Sequence, residues 1–574
     1  MTSHLIYIAT LALACYANTL GNGFVFDDSA YLASDAVRGL ALGELFGASW
    51  MGLELYRPLT LLSLGCDFQL FGEAPWGYHL TNVLLHAVNS LLLYALARDL
   101  FGEDRAALWA ALLYASHPLQ TEVVAWISAR GDLLASLLSL GALLAHRRQR
   151  VLAYLLYAGA CLAKETAIVL PVALFLADSR EGIAAWSKRH WGYGVALLGV
   201  LALRWLALAD APAGPVSTNF LADLGPWQRL GTAVAILPRY LLLIAAPLHL
   251  SADYSYASIP PVESPWDLWF VAGLACVAAL VALLWVARSR FLVFVSAFFA
   301  ACLLPVANLL FLAPSGMVER YLHLAMIPVA LTWGWAGQCW LRRSPGQRRL
   351  IWAVVLCVVV LAGVRTIVRN RDWHSDARLF AAVLAHYPDN ARAHDNLAFT
   401  YYHQGQYARA FHHYQRAVTI QPTRLRAHFN LGILHSTARR YEEAIASFKT
   451  ALALNPTHVE THFNLGLTYQ KAGRYEEAIG YYGTVLNLAP HHLRAYYNLG
   501  RAYERVGRIE DAIRQYTTLV ALDAESAKAY YRLGELYHRQ RRLAEMAAAW
   551  TTLLRLDPAH REAERIRQVL DESR

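Results

Sequence analysis

Two adjacent carboxylates, Asp27 and Asp28, are the first residues of this chain whose types and spacing could do chemistry. They lie in Gly23-Phe24-Val25-Phe26-Asp27-Asp28-Ser29-Ala30-Tyr31, directly after the first long apolar segment and so at a lipid boundary. Adjacent carboxylates there are costly unless they bind a cation, meet a partner charge or pass a proton. Helix capping is the bland reading, but one cap needs only one carboxylate. Glu122, in His117-Pro118-Leu119-Gln120-Thr121-Glu122, could be a second acid or a cation ligand, or pair with Arg130. Arg57, held between Tyr56 and Pro58, could fork a phosphate or snorkel to the interface. Lys164 stands beside Glu165 in a turn between two short apolar arms, and either holds an anionic headgroup or pairs with Glu165. Arg320, in Glu319-Arg320-Tyr321, is a third cation; it and Asp253 read equally well as members of structural salt bridges. None of these spacings alone specifies a reaction.

The elements that must position these residues are membrane helices. The chain has 574 residues, 57% apolar and 16% charged, where a soluble domain carries about a quarter charged residues. The apolar excess lies before residue 369. Eleven stretches read as spans: 4–20, 78–97, 106–116, 131–145, 151–163, 166–178, 191–209, 267–286, 291–310, 322–341 and 350–368. A twelfth, 231–248, contains Pro238 and Arg239 and reads as a proline-interrupted interfacial or re-entrant segment. The arginine-rich connections at Arg147–Arg150, Arg180–His190, Arg288–Arg290 and Arg342–Arg349 should be cytoplasmic. That parity puts the N-terminus inside and the C-terminal tail outside, although Arg365, Arg369 and Arg371 then flank the last span against the rule. It gathers Asp27-Asp28, Arg57, Glu122, Lys164, Asp253 and Glu319-Arg320 on the outer face, which suggests a cavity there. The N-terminal apolar segment lacks a basic lead and reads as a retained span. Seven cysteines without a CxxC or Cys/His cluster argue against a disulfide framework or structural zinc. The charge of +9 is spread without a basic run, so nucleic-acid binding is not read from it.

The tail is a repeat. Pro388, Pro422, Pro456, Pro490 and Pro558 fall at multiples of 34 residues, with Asn396-Leu397, Asn430-Leu431-Gly432, Asn464-Leu465-Gly466 and Asn498-Leu499-Gly500 in register. This is the tetratricopeptide signature. It predicts five full repeats over about 391–560, a preceding half-repeat at 375–388 and a closing helix. The domains are thus 1–370, in the membrane, and 371–574, an α-solenoid. Asn396, Asn430, Asn464 and Asn498 could bond an extended peptide backbone as an amide ladder, or serve packing.

The ordered set of Phe26-Asp27-Asp28, Tyr56-Arg57-Pro58, Tyr78-His79, His117-Pro118 with Thr121-Glu122, Ala163-Lys164-Glu165, Ser251-Ala252-Asp253-Tyr254 and Glu319-Arg320-Tyr321, followed by tetratricopeptide repeats, resembles one family. That family is the transmembrane-and-tetratricopeptide O-mannosyltransferases and their bacterial relatives, within the GT-C glycosyltransferases. The resemblance implies an all-α, GT-C-like membrane bundle. It implies transfer of mannose or another hexose from a polyprenyl-phosphate carrier to Ser/Thr hydroxyls of exoplasmic proteins. It maps the catalytic base onto Asp27 or Asp28, slightly favouring Asp28, and a second acid onto Glu122. Arg57, Lys164 and Arg320 then receive the leaving phosphate. A divalent cation, magnesium or manganese, on Asp27, Asp28 and Glu122 is left open. The tail also resembles the repeats of O-linked N-acetylglucosamine transferase, whose asparagine ladder holds acceptor peptides; Arg532 breaks that ladder in the last repeat. Five repeats suit a bacterial inner-membrane protein with periplasmic repeats, or lumenal ones in an endoplasmic reticulum. The rivals are an inactive membrane-anchored repeat scaffold and an enzyme with a glycan or lipid acceptor.

Overall fold

The computed structural model describes residues 2–47, 55–178, 183–209, 219–255, 258–287, 289–309 and 312–573. Among these, every regular element is a helix. Arg180 and Arg288 of the arginine-rich connections lie outside the described residues. The chain divides into two compact units, residues 1–396 and 397–574.

Each of the eleven apolar stretches of the first unit overlaps a helix, residue 310 lying outside the described residues. Among the described residues, six helices are long and apolar enough to cross a membrane: Thr2–Gly21, Pro75–Phe101, Ile127–Ala145, Trp186–Leu208, Leu268–Val286 and Pro345–His374. Three shorter apolar helices, Arg150–Ala163, Glu165–Phe175 and Arg290–Val306, fall below that length. The 231–248 stretch differs from expectation. Pro238 does not interrupt it; Pro226–Ala245 is one helix of 20 residues. Gly273 of the following helix packs against the Val234 carbonyl that Pro238 leaves without its usual donor.

Small residues set the close approaches that place the polar side chains. Gly131 marks one such point. A Cβ there would lie 2.9 Å from Thr60 Oγ1 and 3.1 Å from the Ala163 carbonyl oxygen. The Thr60 hydroxyl donates to that carbonyl at 2.8 Å. So three segments meet at one contact: the helix starting after Arg57, the helix carrying Asp132 and the turn carrying Lys164.

In the second unit the helices alternate at the repeat period, from Tyr407–Ile420 through Leu543–Leu556, with Ala563–Glu572 closing the series. Gly432, Gly466, Gly500 and Gly534 each face the ring of the following helix, Phe448, Tyr482, Tyr516 and Trp550. A Cβ at any of the four would lie 2.1–2.9 Å from the ring. The aromatic knob therefore dictates the glycine, once per 34 residues.

Candidate functional site

The two carboxylates of the acidic loop have different surroundings. Phe26 takes a positive φ of 59°, which an L-residue adopts only when its contacts over-determine it. Those contacts are specific. The Phe26 N–H donates to Asp376 Oδ1 at 2.7 Å, and its ring packs on Trp126 and Phe380. The Arg392 guanidinium lies over the same ring at 5.4 Å. The bend presents Asp27 and starts the short helix Asp28–Leu32.

Asp28 is buried and fully engaged. Its Oδ2 accepts the Val25 N–H at 3.0 Å, and its Oδ1 accepts the Ser128 N–H at 2.9 Å and hydroxyl at 2.5 Å. Burial outweighs these donors and raises its pKa to about 7. Asp27 Oδ1 is buried with no hydrogen-bond partner. Burial raises the Asp27 pKa too, while the Ser128 side chain, the Arg320 charge and the Trp126 side chain pull it down. Asp28 thus does the bracing, and Asp27 keeps one buried carboxylate oxygen without a hydrogen bond.

Glu122 pairs with Arg320, not with Arg130. Arg320 Nη1 donates to Glu122 Oε1 at 2.7 Å, and the Arg320 backbone N–H donates to Oε2 at 3.0 Å. The Arg320 guanidinium also lies 5.0 Å from the centre of the Trp126 ring. Arg130 points elsewhere: it meets Asp67 at 2.6 Å and donates to Asn82 Oδ1 and the Tyr78 carbonyl. Lys164 pairs with Asp132 rather than with Glu165. Glu165 is taken by Arg57, which forks it through Nε at 2.9 Å and through Nη2. Asp253 meets Arg392 at 3.3 Å, and Glu319 lies 3.7 Å from Arg369, so both sit in structural ion pairs.

These residues share one electrostatic neighbourhood. The charges of Asp132, Arg57, Arg320 and Glu165 all act on Lys164, and Arg320 acts on Asp27. Beside them opens a cleft of about 510 Å³, lined by Phe26, Glu122, Trp126, Asp253, Arg320 and Arg392 among others. Arg320 is 22% exposed toward it while Glu122 is 1% exposed. The cleft therefore offers one anchored cation, Arg320, and is walled in part by Phe26, the residue before Asp27. A divalent cation fits the acids poorly. Both oxygens of Asp28 already accept donors and both of Glu122 face Arg320. Among the described residues no three His, Cys, Asp or Glu side chains converge as metal ligands.

Sequence reasoning missed Ser128, Asp132, Trp126 and Asp376. Asp132 follows Arg130-Gly131 closely and carried a legible charge; the other three carry no local signal. In the second unit, Asn464 and Asn498 donate their amides to their own helix, to the Glu460 and Arg494 carbonyls at 2.8 Å each.

Fold and site together define an integral membrane protein with a charged cleft in its apolar unit, followed in the chain by a tetratricopeptide solenoid. The model of the dolichyl-phosphate-mannose-protein mannosyltransferases matches residues 58–206. Tetratricopeptide models match residues 389–457, 458–525 and 497–561. Human protein O-mannosyl-transferase TMTC4 is 28% identical over 71% of this chain and 65% of its own length. Drosophila melanogaster Tmtc1 is 27% identical over 70% of this chain and 60% of its own length. Tmtc2 of the same species is 32% identical over 46% of this chain and 31% of its own length. This chain thus resembles the transmembrane-and-tetratricopeptide protein O-mannosyl-transferase family through both of its parts, and spans under two thirds of the length of these relatives.

Proposed function

We propose that this protein is a GT-C-type glycosyltransferase. It moves mannose or another hexose from a polyprenyl-phosphate carrier to Ser/Thr hydroxyls of exoplasmic proteins, and its repeats recruit the acceptor. The observation that carries the reading is the pairing of unlike carboxylates in the loop that follows Phe26, a residue of the cleft wall, with Asp28 braced by three donors and Asp27 Oδ1 left without one. The names of the relatives support the reaction class.

A hydroxyl is a weak nucleophile and needs a base within hydrogen-bond reach. Asp27 takes the acceptor's hydroxyl proton as that oxygen bonds to the anomeric carbon. The bond from that carbon to the carrier phosphate breaks, and the phosphate leaves with its electron pair. Attack opposite the leaving group inverts the anomeric configuration. Arg320 faces the cleft and stabilises the departing phosphate; Arg57 and Lys164 add positive potential from behind, each tethered by its own carboxylate. The same tethering keeps the cations fixed before substrate arrives, so little reorganisation is needed during transfer. In the solenoid, Asn396, Asn430, Asn464 and Asn498 hold the acceptor backbone. Where the amide nitrogen is committed to its own helix, the amide oxygen is what accepts a peptide N–H.

The test is transfer by the purified full chain in detergent, from a panel of polyprenyl-phosphate sugars to a protein extract, with and without chelator. Transfer from one donor that survives chelation supports the proposal. A folded wild type that transfers from none would favour the scaffold reading.

A further inference from the structure

A second cavity lies in the first unit, on the other side of the segment that walls the cleft. Its volume is about 1040 Å³, and Leu242, Leu248, Ile259 and Trp269 form much of its apolar wall. Met317 lines both cavities. Of the segment between them, Asp253 faces the cleft and His249 and Tyr254 face the second cavity.

The one arginine among the described residues lining this cavity is unmatched, unlike the cation of the cleft. Arg239 lines it and makes no ion pair among the described residues. Its contacts are the Ala235 carbonyl at 3.3 Å and the Trp269 ring at 4.6 Å. The carboxylate whose charge reaches it is Asp267, which already accepts the Trp269 and Phe270 N–H groups as a helix cap. His249 and His386 add two imidazoles at the rim, edge to face at 5.6 Å. Arg365 donates to the Pro247 and Leu248 carbonyls beside them. No Asp or Glu lines the cavity among the described residues.

The helix pair behind Arg239 is built to hold it there. Pro238 has no N–H to give the Val234 carbonyl one turn earlier. Gly273 of the neighbouring helix packs against that carbonyl, where a Cβ would lie 2.3 Å away. This close approach keeps the helix continuous and brings Trp269 under Arg239.

The geometry points to a binding site for an anionic membrane phospholipid, its phosphate on Arg239 beside His249 and His386, and its acyl chain along Leu242, Ile259 and Trp269. Charge complementarity selects the headgroup, since an unmatched guanidinium beside hydrocarbon attracts lipid phosphate. The apolar wall selects a lipid over a free anion. It opens toward surfaces that are lipid-facing in character, with Leu242 51%, Leu248 63% and Trp266 87% exposed. The site is separate from the cleft, where the carrier phosphate is placed under the proposed function. Its link to that reading is the shared wall: Ser251 N–H and the Tyr254 hydroxyl both donate to Glu319, the residue before Arg320.

The test is native mass spectrometry of the full chain after exchange into vesicles of phosphatidylcholine with phosphatidylglycerol, followed by detergent washing. Wild type retains phosphatidylglycerol. Arg239→Gln lowers retention about five-fold at unchanged elution volume, and Arg239→Lys restores most of it. His386→Ala, at the exposed rim, lowers retention as well and gives an independent reading if the Arg239→Gln chain misfolds. Equal retention by wild type, Arg239→Gln and His386→Ala would overturn the site. So would displacement by inorganic phosphate alone, or occupancy by polyprenyl phosphate to the exclusion of phosphatidylglycerol. Sugar transfer is not read, so failure of the reaction and failure of the lipid site remain distinguishable.

Discussion

Glu122 holds Arg320 twice, accepting its guanidinium at 2.7 Å and its backbone N–H at 3.0 Å across 198 positions of sequence. The double contact fixes both the side chain and the turn that bears it. Glu122→Ala leaves a half-buried guanidinium without its partner, and is expected to destabilise the chain by about 3 kcal/mol. Glu122→Leu combined with Arg320→Met should cost less than the two single changes together, since no charge is then stranded. Thermal unfolding of the four chains in one detergent checks this.

Asp376 acts on the acidic loop from a distance in sequence. It accepts the N–H of Phe26 at the one residue of the loop with positive φ. Asp376→Ala should let the loop relax and misplace Asp27, lowering kcat by up to about a hundred-fold with little change in KM for the donor. Asp376→Asn keeps an acceptor oxygen and should recover much of the rate. A rise in KM without a fall in kcat would show that the loop binds substrate rather than placing a base.

The pH behaviour of activity and stability should run in opposite directions. A base works ionised, so transfer falls as pH drops through the raised pKa of Asp27. A carboxyl whose folded pKa lies above its unfolded one contributes stability that is complete below the unfolded pKa and lost as pH rises through the folded one. For Asp28 that window runs from about 4 to about 7. The unfolding temperature should therefore decline across this range while transfer rises. Asp28→Asn should flatten the stability trend and keep the rise in transfer.

The repeat glycines carry a packing prediction. Gly466→Ala places a methyl about 2.9 Å from the Tyr482 ring, and should cost about 1–3 kcal/mol. Replacing Asn430, Asn464 and Asn498 together with alanine should leave stability nearly unchanged but weaken acceptor-peptide binding about ten-fold or more. Fluorescence anisotropy with a Ser/Thr-rich peptide on the full chain reads the second effect. Undiminished binding would assign the asparagines to packing.

What was legible in the sequence was whatever is local or periodic. The 34-residue register could be read because each glycine meets the ring of the next helix in its own repeat. The helices could be read because apolar stretches of that length have few other states near a membrane. The partners of the polar residues could not. Arg57 finds Glu165 across 108 positions, and Lys164 finds Asp132 on another helix, so adjacency wrongly suggested Lys164 with Glu165. Arg130 likewise turned to Asp67. Asp27 and Asp28 are identical in type and neighbours in sequence. What separates them is the Ser128 N–H, 100 positions away, which donates to Asp28, so no local pattern could say which one braces and which keeps an unpartnered oxygen. Pro238 misled because the residue that accommodates it, Gly273, lies on the following helix.

Under the proposed function Asp27 is the base and Asp28 its brace. Single-turnover transfer from a polyprenyl-phosphate sugar, measured for wild type, Asp27→Asn and Asp28→Asn with donor binding measured in parallel, tests it most directly. Asp27→Asn is expected to bind donor as wild type does and to lose about a thousand-fold in transfer. Asp28→Asn is expected to lose far less per folded molecule. Near-normal transfer by Asp27→Asn, with the loss falling on Asp28→Asn instead, would contradict it.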